Sequence, residues 1–269
     1  MTADSSQVAA WPRVLVHGAT SSEFTLVERF AGAHGATYLT APVTELIADA
    51  NCHVQLYQNA EEGDAGSHLG VIHATLDRDA HLNAHIMNAG GKRVRTDLYV
   101  NLDGAGADAT LNGLYLVHDG EFSDVHTWVR HNVDHCASRQ LVKGVLEGKA
   151  ETVFDGLIQV AKGAQKTDAE QENRNLLLSP KGLAHSNPRL EIYADDVKCG
   201  HGSTVGQLDG AAIFYLQSRG IGAEEARGVL TFAFANDMLD AVTLPSLQRH
   251  EREALISLLP GGENVRSLL

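Results

Sequence analysis

The chain has 269 residues, with 21 Lys plus Arg against 34 Asp plus Glu and a formal net charge of −13, a balance that argues against a nucleic-acid backbone binder. Its length allows one large domain or a main domain with an appendage, and no run reaches the roughly 18 apolar residues of a membrane span. Three scattered cysteines (Cys52, Cys136, Cys199) form no disulfide framework and residues 1–10 do not read as a signal peptide, so a cytoplasmic protein without membrane partners is expected.

From Val14 to Gly206 short β-type runs follow one another: Val14–His17, Thr37–Thr40, His53–Tyr57, Val71–Thr75, Leu98–Leu102, Leu114–Val117, Thr152–Phe154 and Leu190–Tyr193. Some alternate with period two, and most have Gly, Asp, Asn or Ala close by. A short helix is conceivable over Ser22–Ala31, but alternating βαβ units, and with them a doubly wound sheet, are not expected. The turn doublets Gly35-Ala36, Asp49-Ala50, Asp79-Ala80, Asp108-Ala109, Lys149-Ala150 and Gly163-Ala164 recur at several spacings that are roughly multiples of fourteen. Stacked coils with insertions would give that rhythm. A β-sandwich has the same local text, so the pattern alone leaves solenoid and sandwich open.

After Asp209 the period becomes helical. Asp209 is the expected N-cap of a helix through Arg219, stopped by Gly220. A second helix is expected over Ala223–Val242, with Ala226, Val229, Leu230, Phe234, Met238 and Val242 at i+3 and i+4 spacing and Glu224 and Glu225 in its first turn. Pro245 is expected to open a third, carrying Leu247, Leu255 and Leu258.

Several motifs bear on chemistry. Val14-Leu-Val-His-Gly-Ala-Thr20 resembles a nucleotide-binding turn, but Thr20 and Glu23 stand where its second and third glycines would fall. Gly104-Ala-Gly106 reads as a turn, and no GxxxxGK[ST], GxSxG, HExxH or CxxC occurs. His126, His131, His135 and Cys136 are the densest set of candidate metal ligands. On one strand His126 and His131 face opposite sides, as do His135 and Cys136, so the alternative is core and turn histidines on adjacent coils. The polar run Asp168, Gln171, Asn173, Arg174 and Asn175 suits an amide ladder inside a solenoid. Cys199-Gly200-His201 is sharper, because a thiol and an imidazole two residues apart share one side of a strand and both ligate iron or zinc. It sits where the β region meets the helices, a natural place for an interface.

Longer segments carry a more specific signal: Ala164–Ser179, Ile192–Gln207 and Ala212–Ile221, with Asp103–Val117, Asp124–Thr127, His135–Arg139 and Lys143–Gly148. Together they resemble the SufB/SufD family of iron–sulfur cluster assembly proteins over about Pro12–Val242. The resemblance implies a right-handed parallel β-helix over 12–206, after an N-terminal tail 1–11, and a helical C-terminal domain over 207–269 that binds a SufC-like ABC-type ATPase. It implies pairing with a SufB-like scaffold through the β-helices, with a transient Fe–S cluster or iron at that interface and none tightly held by the isolated chain. ATP-driven closure of the ATPases is then expected to rearrange the interface.

The family's CxHGATVG motif matches Cys199–Gly206, with Gly200 where Ser and Ser203 where Ala are common. By resemblance His201, and less centrally Cys199, are the interface ligands, and the CxH pair marks the branch that faces a SufB-like partner. Phe214, Tyr215, Arg219, Gly220 and Ile221 are the expected centre of the ATPase-binding region. Family members usually carry a helical domain before the β-helix, whereas strand text here is reached by Val14, so an absent helical domain is the expectation. The leading reading is a non-enzymatic scaffold. A homodimeric scaffold, a metal-storing module built on His126–Cys136, and a polysaccharide-cleaving enzyme are the alternatives, the last disfavoured by having only Trp11 and Trp128.

Overall fold

The computed structural model describes residues 2–3, 7–259 and 261–266. Residues 1, 4–6, 260 and 267–269, which belong to the expected terminal tails, lie outside the described residues.

Alternation of inward apolar and outward polar side chains builds strands throughout the first three quarters of the chain. The early ones are β1 (Thr2–Ala3), β2 (Val8–Ala10), β3 (Arg13–Gly18), β4 (Glu23–Gly32), β5 (Tyr38–Thr40) and β6 (Val43–Ala48). Longer strands follow: β7 (His53–Glu61), β8 (Ser67–Leu76), β9 (His81–Ala89), β10 (Arg93–Leu102), β11 (Asp108–Val117) and β12 (Phe122–His131). The last are β13 (Ala137–Leu146), β14 (Glu151–Val160), β15 (Asp168–Leu177), β16 (Leu183–Ile192) and β17 (Lys198–Gly206). One sheet runs β1-β4-β7-β9-β11-β13-β15-β17, and the other runs from β16 back through β14, β12, β10 and β8 to the early strands. From β7 onward consecutive strands alternate between the sheets, and the pairings are parallel. This is a parallel β-solenoid followed by a few helices, so the sandwich alternative falls.

A spacing of fourteen is one strand plus one turn, half a coil. A full coil takes about thirty residues, as the hydrogen bond from Asn51 to Ser21 thirty positions earlier marks directly. The conceivable helix at Ser22–Ala31 is instead β4, because Phe24, Leu26, Glu28 and Phe30 alternate inward against β7 with period two rather than 3.6. Asp108-Ala109 likewise opens β11 instead of forming a turn. Val8–Ala10, inside the expected tail 1–11, pairs with β5.

One corner of the coil repeats a single conformation. Ser21, Asn51, Asp79, Gly106, His135 and Lys166 all have φ between 55° and 79°. Asn51, Asp79, His135 and Lys166 each donate their N–H to a carbonyl in the next coil's turn, at 2.6–3.0 Å. The residue that follows is small and points inward: Cys52, Ala80, Ala107, Cys136 and Thr167 form a buried column. Inside the C-terminal half, amides join the hydrocarbon. Gln171, Asn173 and Asn175 of β15 are buried as the polar-run reading expects. Asn173 donates to the Tyr115 hydroxyl (3.1 Å) and to the Val142 carbonyl (3.1 Å), and Asn175 donates to Asn173 (2.7 Å). Arg174 points out and pairs with Glu172.

The helices are α1 (Gly210–Ser218), α2 (Ala223–Asp240), α3 (Pro245–Leu258) and the short α4 (Gly262–Arg266). Asp209 caps α1 by accepting from Ala211 N–H at 2.9 Å, and Gly220 takes φ 89° just past its end. α2 and α3 lie on the outer face of the first sheet, where Phe232, Ala235, Met238, Leu239 and Leu255 pack on Met87, Leu114, Leu116 and Val145. That cover explains why Leu114–Val117 reads as a continuous apolar run, since both faces are buried there. Polar pins fix the docking. Lys143 Nζ donates to Asp237 (2.6 Å) and to the Phe234 carbonyl (2.8 Å), His85 and Glu251 meet at 2.9 Å, and Tyr57 and Thr243 share a hydroxyl contact of 2.8 Å. No described helix is long and apolar enough to cross a membrane.

Gly144 marks the tightest point of the amide-lined interior. A Cβ there would lie 2.0 Å from Tyr115 Cε2 and 2.5 Å from Asn175 Oδ1. Gly144→Ala is therefore expected to lower stability by about 1–3 kcal/mol, through displacement of a fully buried ring. An unchanged urea midpoint would contradict this packing.

Candidate interface site at the open end of the solenoid

The last coil consists of β16 and β17, and among the described residues no strand pairs with the outer edge of either. In register, Cys199 stands on Ala169, His201 on Gln171, Ser203 on Asn173 and Val205 on Asn175. Those four β15 residues are buried and inward-facing, so their β17 counterparts continue the inward columns. They differ only in having no coil above them. His201 is exposed in consequence, and Cys199 is half-buried against the apolar cluster of Ile158, Val160, Ala164, Ala169 and Ala194. Across the lumen Ser203 Oγ donates to Ser186 Oγ at 2.7 Å, closing the coil. Around this mouth Leu183 (54% exposed), Ile192, Tyr193 (61%) and Val205 remain open to solvent. An unpaired strand edge carrying exposed apolar side chains is a template for another chain.

Burial pushes the Cys199 thiol above its ordinary range, with a backbone hydrogen bond at Ala169 opposing and the Asp168 charge adding to the rise. The thiol is thus protonated near neutrality, and a metal would have to displace that proton. The exposed His201 imidazole is the more accessible donor of the two. Both residue types are competent toward iron, and they project from the same side of one strand about 6.6 Å apart along the backbone.

The second candidate set is not brought together. His126 faces out from β12, 2.9 Å from Asp124, whose carboxyl burial pushes up although His126 and Arg95 stand beside it. His131 faces inward, fully buried, with Nε2 2.9 Å from Ser138 Oγ. His135 occupies the left-handed corner position and is exposed, and Cys136 belongs to the small-residue column, its thiol pushed up to about 11 by burial. Among the described residues no group of three or more His, Cys, Asp or Glu is placed to hold a metal ion. The separating cause is the alternation and the turn, as the strand argument anticipates.

The helical candidates cluster on α1, which buries none of its residues. Phe214 (72% exposed) and Tyr215 (57%) stand free of the fold, the Arg219 guanidinium lies 5.1 Å over the Tyr215 ring, and Ile221 N–H donates to the Leu216 carbonyl around Gly220. Two solvent-exposed aromatics on one short helix are unusual for a surface that meets only water. Sequence reasoning did not identify the Lys143–Asp237 and His85–Glu251 pins. Their partners are about a hundred or more residues apart and carry no shared local pattern.

Comparison with known proteins adds an independent finding. A family model described as "SUF system FeS cluster assembly, SufBD core domain" matches residues 1–234. The iron–sulfur cluster assembly protein SufD of Escherichia coli is 36% identical over 244 residues, covering 91% of this chain and 58% of that protein. A SufBD-family iron–sulfur cluster assembly protein of Synechocystis is 30% identical (94% and 57% covered), and one of Mycobacterium leprae 35% identical (84% and 59%). The chain thus spans between half and two thirds of the length of these relatives.

Two outcomes check this geometry. With folded protein at pH 8, iodoacetamide is expected to modify Cys199 well before the buried Cys52 and Cys136, and equal rates for all three would refute the burial pattern. Burial lowers His131 from the ordinary 6.5 to about 4. Between those pH values the unfolded chain binds a proton there and the folded chain does not, so stability is lost as pH falls through that window. Wild type should therefore lose about 2–3 kcal/mol more than His131→Gln between pH 7 and pH 4.5, read from urea unfolding.

Proposed function

The chain is a SufD-type member of the SufBD family of iron–sulfur cluster assembly proteins, and from that premise we propose that it is a non-enzymatic scaffold subunit on which a cluster is assembled and released as cargo. The observation that carries the reading is the uncovered last coil, where inward columns surface as Cys199 and His201 between two open strand edges. A SufB-like scaffold adding strands to β16 and β17 would satisfy their backbone groups and cover Leu183, Ile192, Tyr193 and Val205. His201 would then face the partner across the seam and hold iron or cluster there, with Cys199 as a second donor from the same strand.

The chemistry suits a transient cargo. An imidazole is a weaker anchor for iron–sulfur units than a thiolate, and a site split between two chains opens when the seam opens. Exposed Phe214 and Tyr215, with Arg219, Gly220 and Ile221, form the surface proposed for a SufC-like ABC-type ATPase. α1 contacts α2, and α2 is pinned to β13 through Lys143, so movement of the ATPase would be transmitted along a continuous packed path to the coils beside the seam.

His201→Ala should leave melting and partner binding unchanged while reducing cluster formation by the reconstituted complex at least about tenfold, the effect of losing one ligand or its support. Normal reconstitution would remove His201 from the site. Co-purification with SufB-like and SufC-like partners, read by native mass spectrometry, tests the assembly. A stable homodimer that takes the ATPase without a SufB-like chain would instead favour the self-paired scaffold.

A further inference from the structure

The column beneath His201 is polar at two successive coils. Gln140 of β13 and Gln171 of β15 share the register position that His201 occupies on β17, and both glutamines are buried. Their amides are joined in one direction. Thr127 Oγ1 donates to Gln140 Oε1 at 2.8 Å, and Gln171 Nε2 donates to that same Oε1 at 3.2 Å. The two heteroatoms of a planar carboxamide diverge from Cδ, so with Nε2 committed to the coil beneath, Oε1 is not turned to that coil. That oxygen is buried and has no hydrogen-bond partner among the described residues. Gly156 makes room for the amide, since a Cβ there would lie 2.3 Å from Nε2. A buried acceptor without a partner loses about 1–3 kcal/mol of hydration unless something donates to it, and the side chain at the next register position is the His201 imidazole.

We infer that Gln171 is a positioning residue for His201: a turn of the exposed His201 ring, which makes no hydrogen bond to Gln171 as it stands, brings a ring N–H to the unpartnered Oε1 and leaves the other nitrogen's lone pair toward the open end. The inference rests on the reading of His201 as the interface ligand and extends it one coil inward. It gives the amide ladder a purpose beyond filling the lumen. An imidazole whose tautomer and plane are set before iron arrives binds without first reorganising, which is the usual role of the group behind a ligating histidine.

The test is nuclear magnetic resonance of the full chain with ¹⁵N-labelled histidine at pH 8.5, where the two ring nitrogens of a neutral imidazole report its tautomer. The His201 signals are those lost in His201→Gln. In wild type a His201 ring N–H protected from solvent exchange is expected, and its absence would overturn the inference without any further variant. Gln171→Met fills the same space without an acceptor and should shift the His201 tautomer ratio by about two- to tenfold, the equilibrium worth of one hydrogen bond. Gln171→Glu keeps an oxygen at the same reach and should restore the wild-type preference. An identical ratio in wild type and a cooperatively melting Gln171→Met would also overturn it. Failure of the underlying reading is a separate result: cluster formation unaffected by His201→Ala would deny the ligand role while the protected N–H still stood.

Discussion

In a parallel solenoid every coil is satisfied by the coils on either side, because backbone hydrogen bonds and inward side chains both run along the stack. The chain's chemistry follows from where that rule stops applying. Through β15 the inward positions are buried and the amides of Gln171, Asn173 and Asn175 lie within the column of coils. At β17 the same positions face solvent. Cys199 and His201 need no loop or cleft to reach the surface. They are core positions without a cover, presented on a strand whose alignment is set by nine register pairs with β15.

The helices solve a different problem. A first sheet with apolar outward residues at Met87, Leu114, Leu116 and Val145 would expose an adhesive face, and α2 and α3 cover it. Their attachment is anchored by polar contacts as well as hydrocarbon. The buried His85–Glu251 pair contributes little net stability over an apolar equivalent, but removing either partner strands the other, and removing the exposed Asp237 would strand the buried Lys143, so both contacts favour a single docking geometry. α1 stands outside that arrangement, with its aromatics turned to solvent.

How much of this was legible depends on how far apart the cooperating residues lie. Asp209, Gly220 and Pro245 act within a turn of themselves, and each helix boundary they signalled lies where the local chemistry put it. β13 carried no marked run, because its alternation is interrupted where a second face is buried, with Lys143 and Val145 beneath α2. Ser22–Ala31 resembled a helix only because ten residues can satisfy either period until the neighbouring coil is known. The thiol and imidazole of Cys199-Gly200-His201 were legible as types on one side of a strand. That this side is the inward one, and uncovered, depends on β17 being the outermost strand of its sheet, which no local pattern states. The His126–Cys136 set failed for the opposite reason: proximity in sequence was undone by one left-handed residue, His135, and a change of face.

The corner column also bears on how the molecule comes apart. A stack with nearest-neighbour coupling behaves as a one-dimensional lattice, in which a unit's resistance to opening scales with the number of occupied sites beside it. Interior coils are held from both sides, and those under α2 and α3 are clamped from the flank as well. Among the described residues the β16–β17 coil has a single neighbouring coil, to which its corner is joined through Lys166, Gln165 and Asp196. Fraying should begin at the ends of the stack, so the coil that presents His201 is one whose order a binding partner can readily raise. The exposure of His201 and the cooperativity of the whole column thereby depend on the same feature, a coil covered on one side alone.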